Sequence, residues 1–113
     1  MRRGDIWWAE LPPPTGRRPV VLLSRDEAYA IRALVTVAPV TTRIRQIPAE
    51  VPLGHEDGLP QPCVVNLDTI LTIAKASLRE HLTTLRNVSM ILRHRVSAFS
   101  VAPHRSGLRA LAD

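Results

Sequence analysis

From Pro19 to Ser24 the chain reads Pro-Val-Val-Leu-Leu-Ser, four consecutive apolar side chains bounded by a proline and a small polar residue. A strand covered on one face alternates apolar and polar side chains. An unbroken apolar run of strand length, rich in β-branched residues, fits a strand covered on both faces. It predicts the centre of a sheet. A chain of 113 residues has room for one core around such a strand and not for a second domain. Aromatic residues are only 4% of the chain, so the core falls to Val, Leu and Ile, which favours β-rich packing.

The other elements arrange themselves around that centre. Residues 5–11, with Ile6, Trp7 and Trp8, read as a first strand stopped by Pro12-Pro13-Pro14, which cannot donate to a ladder. Residues 26–31 suit a helical turn. Residues 34–40 suit a third strand, with Pro39 marking its end or an edge. A polar, basic loop follows, carrying Thr41, Thr42, Arg43 and Arg45. Residues 50–53 are short and β-like, and 54–62 form a Gly- and Pro-containing loop with His55, Glu56 and Asp57. Residues 63–66 and 67–73 look like two strands with a bend between them, 77–79 like one helical turn, and 81–85 like a last strand. Asn87 suits the N-cap of a helix to about Val101, with Val88, Ile91, Leu92, Val96 and Phe99 on an apolar stripe, ended by Pro103. The expected organisation is one mainly β, α+β domain over 1–101 and a basic tail over 102–113.

Charge narrows the function. The formal net charge is +5, with fourteen Arg against the single Lys75, and the planar guanidinium fork matches phosphate oxygens. A polyanion partner is favoured. Arg18 stands where loop becomes buried strand, a rigid backbone from which to project toward a phosphate. Cys63 is alone, which excludes an internal disulfide and fits a reducing compartment. The N-terminus lacks the apolar stretch of a signal peptide, and nothing approaches the ~20 apolar residues of a membrane span. A soluble, cytoplasmic protein is expected. Cys63, His55, His81, His94 and His104 share no metal-ligand spacing, so no metal or other cofactor is expected. Of the His residues only His55, beside Glu56 and Asp57, is a candidate for catalysis.

Three segments carry a resemblance: Arg3-Gly4-Asp5-Ile6-Trp7, Arg18-Pro19-Val20-Val21-Leu22-Leu23-Ser24 and Val37-Ala38-Pro39-Val40-Thr41. Val64-Val65-Asn66-Leu67-Asp68-Thr69-Ile70 and the step from Leu85 into a terminal helix add to it. In order and spacing they resemble the MazF/PemK endoribonuclease family over roughly residues 2–101. The resemblance implies an SH3-like, partly open barrel of the MazF/PemK/CcdB type with a C-terminal helix. It also implies a homodimer, metal-independent cleavage of single-stranded RNA, and a cognate antitoxin, for which an acidic flexible segment is the expected inhibitor of an Arg-rich groove. It makes Arg18 and Thr41 the catalytic pair. The loop between the first two segments differs from the longer, Gly-rich loop of many relatives: here it is short and carries three prolines.

Such cleavage is attack by the ribose 2′-oxygen on its own phosphate, leaving a cyclic phosphate and a 5′-hydroxyl. A guanidinium, with a pKa above ~12, serves that step first as an electrostatic clamp. Thr41 suits donation to a non-bridging oxygen, with Thr42 the adjacent rival. Arg17, Arg43 and Arg45 are placed to track the RNA backbone, as are Arg2 and Arg3. Asn66 and Asp68 are candidates for reading base edges, against the plainer role of satisfying backbone at a bend. Trp7 and Trp8 must face opposite sides of their strand, one into the core and one toward the dimer, the antitoxin or a base. Two alternatives use the same barrel without cutting RNA: a toxin that poisons DNA gyrase, and a non-catalytic RNA-binding module.

Overall fold

Val20, Val21 and Leu22 are fully buried, and the strand they belong to lies between two others with an apolar cluster on each face. The computed structural model describes residues 1–86 and, beyond them, Val88, Ser89, Ile91 and Arg93. The strands are β1 (Asp5–Glu10), β2 (Arg17–Leu22), β3 (Leu34–Thr41), β4 (Glu50–Leu53), β5 (Cys63–Asn66), β6 (Leu71–Ala74) and β7 (Leu78–Thr84), and a short helix, α1 (Ala28–Ile31), lies between β2 and β3. They form a seven-stranded sheet in the order β4-β5-β3-β2-β1-β7, with β6 paired to β3 beside that path. Every pairing is antiparallel. The fold is mainly β, as expected.

Alternation along β2 sorts the core. Val21 joins Ile6, Ala38, Val40 and Val65 on one face, whereas Val20 and Leu22 join Ala9, Tyr29, Val35 and Val37 on the other. Each buried Val, Leu or Ile among them stabilises the sheet by about 1.5–3 kcal/mol relative to exposure. β2 starts two residues before the apolar run because the β1–β2 hairpin is tight. Glu10 pairs with Arg17, the Leu11 N–H donates to the Gly16 carbonyl (3.1 Å), and the Thr15 N–H donates to that of Pro12 (3.1 Å). Gly16 takes the left-handed φ of 66° that this closure requires. Ser24 lies beyond the strand, where its Oγ accepts the Thr36 N–H at 2.8 Å.

Pro39 is neither an end nor an edge. β3 pairs with β6 up to Val37 and with β5 from Val40, and Pro39, which has no N–H to give, falls in the gap between those ladders. Two later boundaries also move. Asn66 Oδ1 accepts the Asp68 N–H (2.9 Å), turning the chain so that β6 resumes only at Leu71. Lys75 is pinned by its N–H to Ala33 (2.7 Å) and by Nζ to the Tyr29 carbonyl (2.7 Å). That places a 3₁₀ turn at Lys75–Ser77, and β7 begins at Leu78. Ile91 is buried against the Ile6 cluster. Otherwise the expected helix from Asn87 to about Val101 and the tail over 102–113 lie outside the described residues, as do His94 and His104. No helix among the described residues is long and apolar enough to cross a membrane.

Candidate active site

The site is a consequence of where β3 changes partner. The β2–β3 ladder ends at Val20 opposite Pro39; continued by two residues, the same register would set Arg18 opposite Thr41. By then β2 is held by β1, with Ala9 opposite Arg18, and β3 by β5, with Thr41 opposite Val64. The strands part, and a cavity of about 290 Å³ opens between them. Arg17, Arg18 and Pro19 of β2, with Trp8 of β1, form one bank; Val40, Thr41 and Thr42 form the other. The loop before β5 adds Leu59, Pro60 and Gln61, with Cys63 and Leu82 completing the lining.

The Thr41 hydroxyl is oriented by its own turn: Oγ1 accepts the Arg43 N–H at 3.1 Å. Its proton is thereby left to be given outward. The loop after it is held by Glu50, whose side chain is only 2% exposed. Oε1 accepts the N–H groups of Arg45 and Gln46, both at 2.9 Å, and Oε2 accepts from Arg45 Nε at 3.1 Å. Burial alone would push this carboxyl up, but the hydrogen bonds from Arg45 and Gln46 outweigh it and hold the carboxyl below its ordinary value. The turn brings Gln46 to a φ of 58°, a strained conformation for a residue with a Cβ.

Of the sequence candidates, Arg17, Arg18, Thr41 and Thr42 are brought together at the cavity. Arg43, Arg45, Asn66 and Asp68 are not among its lining residues. Arg45 is tied to Glu50, and Asn66 makes the turn to Asp68, the plainer of its two readings. Arg3 donates through Nε to the carbonyls of Leu23 (3.1 Å) and Ser24 (3.3 Å), at the opposite end of β2. His55 sits in the 3₁₀ turn His55–Asp57, outside the lining. His81 Nε2 is 3.0 Å from Thr84 Oγ1, which donates to Asp5 at 2.8 Å. The tryptophans divide: Trp7 packs against the Val20 cluster, and Trp8 faces the cavity under the Arg17 guanidinium, 4.9 Å from the ring centroid.

Gln61 and Leu82 were not singled out by sequence reasoning, and Cys63 was read there as a lone thiol and not as a site residue; the only signal was that Gln61 is a polar residue clamped between Pro60 and Pro62. Burial, with the Asp57 charge adding to it, pushes the Cys63 thiol up, so it stays a thiol at neutral pH. None of the described lining residues is a His, Asp or Glu. What the cavity offers is fixed donors, an amide and an aromatic face. Hydrogen-bond donors lining a cavity suit an anion whose charge grows during reaction.

Residues 2–95 match the family described as PemK-like, MazF-like toxin of type II toxin-antitoxin system. The chain belongs to that family. The resemblance read from the sequence is thus confirmed, and the match spans both banks of the cavity. A Mycobacterium tuberculosis protein named probable endoribonuclease MazF5 is 42% identical over 89 residues, 78% of this chain and 81% of that protein. The solved structure of the M. tuberculosis toxin MazF-mt6 superposes with a TM-score of 0.76 at 33% identity, covering 85% of this chain and 96% of that one. A mycobacterial endoribonuclease solved in complex with its cognate antitoxin gives a TM-score of 0.75 at 27% identity, over 89% and 96% of the two chains.

Proposed function

We propose that this MazF-like chain is a toxin endoribonuclease that cuts single-stranded RNA without a metal ion, Arg18 and Thr41 acting on the scissile phosphate. The observation that carries the reading is the placement of Arg18 and Thr41 on the two banks of one cavity. In the step, the 2′-oxygen bonds to phosphorus, the bond from phosphorus to the 5′-oxygen breaks, and the 2′-proton and the proton gained by the leaving oxygen pass through the site. Arg18 clamps the non-bridging oxygens as negative charge gathers on them, and the Thr41 hydroxyl donates to one of them. Proton transfer is a second role for Arg18, because its guanidinium, with a pKa above ~12, holds its proton tightly.

The endoribonuclease names of relatives such as probable MazF5 support RNA as substrate over the gyrase-poisoning and non-catalytic alternatives. The antitoxin-bound mycobacterial relative supports a cognate antitoxin, which we expect to lay an acidic, flexible segment across the Arg-rich bank. The exposed apolar side chains of Ile31 and Leu34 support a homodimer. The seven-stranded antiparallel sheet with its two apolar clusters supports the SH3-like, partly open barrel as the domain over 1–101.

The test is incubation of the purified chain with end-labelled RNA in EDTA. Cleavage leaving 2′,3′-cyclic phosphate and 5′-hydroxyl ends is expected. Loss of cleavage on chelation, or 5′-phosphate ends, would overturn the mechanism.

A further inference from the structure

Arg17 and Arg18 are neighbours on one bank, yet Arg17 is committed in a way that changes what it can recognise. Its guanidinium lies over the Trp8 ring at 4.9 Å, and Nη2 donates to Oε1 of Glu80 at 3.2 Å. The three side chains come from three adjacent strands: Glu10 pairs with Arg17 across β1–β2, and Trp8 with Glu80 across β1–β7. The assembly is therefore set by sheet register. Arg17 and Glu80 remain open to solvent, with side chains 51% and 68% exposed.

A carboxylate already holds one Nη2 donor of Arg17 and anchors its guanidinium over the Trp8 ring. What the pair still presents to a ligand is planar: an indole and a guanidinium beside Pro19 and Leu82. Flat π-surfaces of this kind take unpaired bases, which stack on aromatic rings and on arginine planes without demanding a particular sequence. Gln61 and Thr42 line the same cavity and carry the donors and acceptors that a base edge needs.

We propose that Trp8 and Arg17, held together by Glu80, form a stacking shelf that seats one unpaired nucleobase beside the phosphate gripped by Arg18 and Thr41. This rests on the RNA-cleavage reading above and assigns part of its substrate selection. Glu80 acts as a positioning residue: it holds the guanidinium over the ring.

The experiment takes a short RNA that the chain cleaves, with the attacking 2′-hydroxyl methylated, and compares it with copies carrying an abasic nucleotide at each position flanking the cleavage point. Trp8→Ala should weaken binding of the intact oligonucleotide about tenfold or more. One abasic position should weaken binding to the parent by a similar factor, and Trp8→Ala should bind that abasic copy no worse than the intact one. Such non-additivity is the signature of direct contact. Trp8→Phe should retain most of the affinity, and Glu80→Gln should weaken binding two- to fivefold at the same abasic-sensitive position. Penalties that simply add at every position would overturn the shelf while leaving cleavage standing. So would a Trp8→Phe variant that binds as weakly as Trp8→Ala. A chain that cleaves no RNA would remove both readings together.

Discussion

Two Arg-Arg pairs, Arg2-Arg3 and Arg17-Arg18, look alike in the sequence and meet opposite fates at the two ends of β2. A strand of six residues separates its ends by about 20 Å. At the far end the ladder has stopped, and the carbonyls of Leu23 and Ser24 take Arg3 Nε. The Arg3 N–H is bound to Asp26 Oδ1 at 2.7 Å. At the near end the backbone of Arg17 and Arg18 is already paired to Glu10 and Ala9 of β1, and the strands part into a cavity. The lesson is that Arg3, beside carbonyls just past the end of the strand, is drawn into structure. Where the backbone is already paired, Arg18 is left for a ligand and Arg17 turns its side chain to Glu80 and Trp8.

The comparison can be broken most decisively at the near end. Arg18→Ala and Thr41→Ala should each slow RNA cleavage by about 10²- to 10³-fold, the usual cost of one preorganised donor to a growing oxyanion, with the unfolding midpoint unchanged. Parent-like cleavage by both variants would show that the cavity is not the site. The far end should behave in reverse. Arg3→Ala should cost about 1–3 kcal/mol of stability through lost charge-assisted hydrogen bonds, read in denaturant unfolding, while cleavage per folded molecule stays near the parent's. A loss of cleavage at unchanged stability would place Arg3 with the RNA and erase the contrast.

A smaller effect sharpens the picture at Glu50. Its folded carboxyl is held below the ordinary value, so the stability it contributes is present above the ordinary carboxylate pKa. That contribution is lost as pH falls through the lower, folded value. Acid unfolding curves of Glu50→Gln should be flatter across that window than the parent's. Parallel curves would mean that the carboxylate is not what holds the Arg45–Gln46 turn.

What could be read in advance followed from what each residue's own neighbours decide. The apolar run marked β2 as the centre, and Arg18 was distinguished from Arg17 by the Arg-Pro motif that carries the family resemblance. Arg45 and Arg17 were indistinguishable by type; what separates them is Glu50, five residues along, and Glu80, on a different strand. Strand alternation put Trp7 and Trp8 on opposite faces but was silent on which face meets the cavity, because that depends on where β3 leaves β2. Pro39 was misplaced as an end or edge for the same reason. Asn66 offered two local readings, and the turn to Asp68 took the backbone one. Gln61 reaches the site through a loop, where no periodicity points.

The Glu50 clamp also bears on how firmly a substrate can be gripped. A surface loop that must be ordered as its ligand arrives subtracts that loss of chain entropy from the affinity. Here the segment leading away from Thr41 and Thr42 is cinched during folding by a covered carboxylate that binds two successive backbone N–H groups. The ordering cost is then met once, by the fold, and the second bank of the cavity greets each RNA strand already in shape.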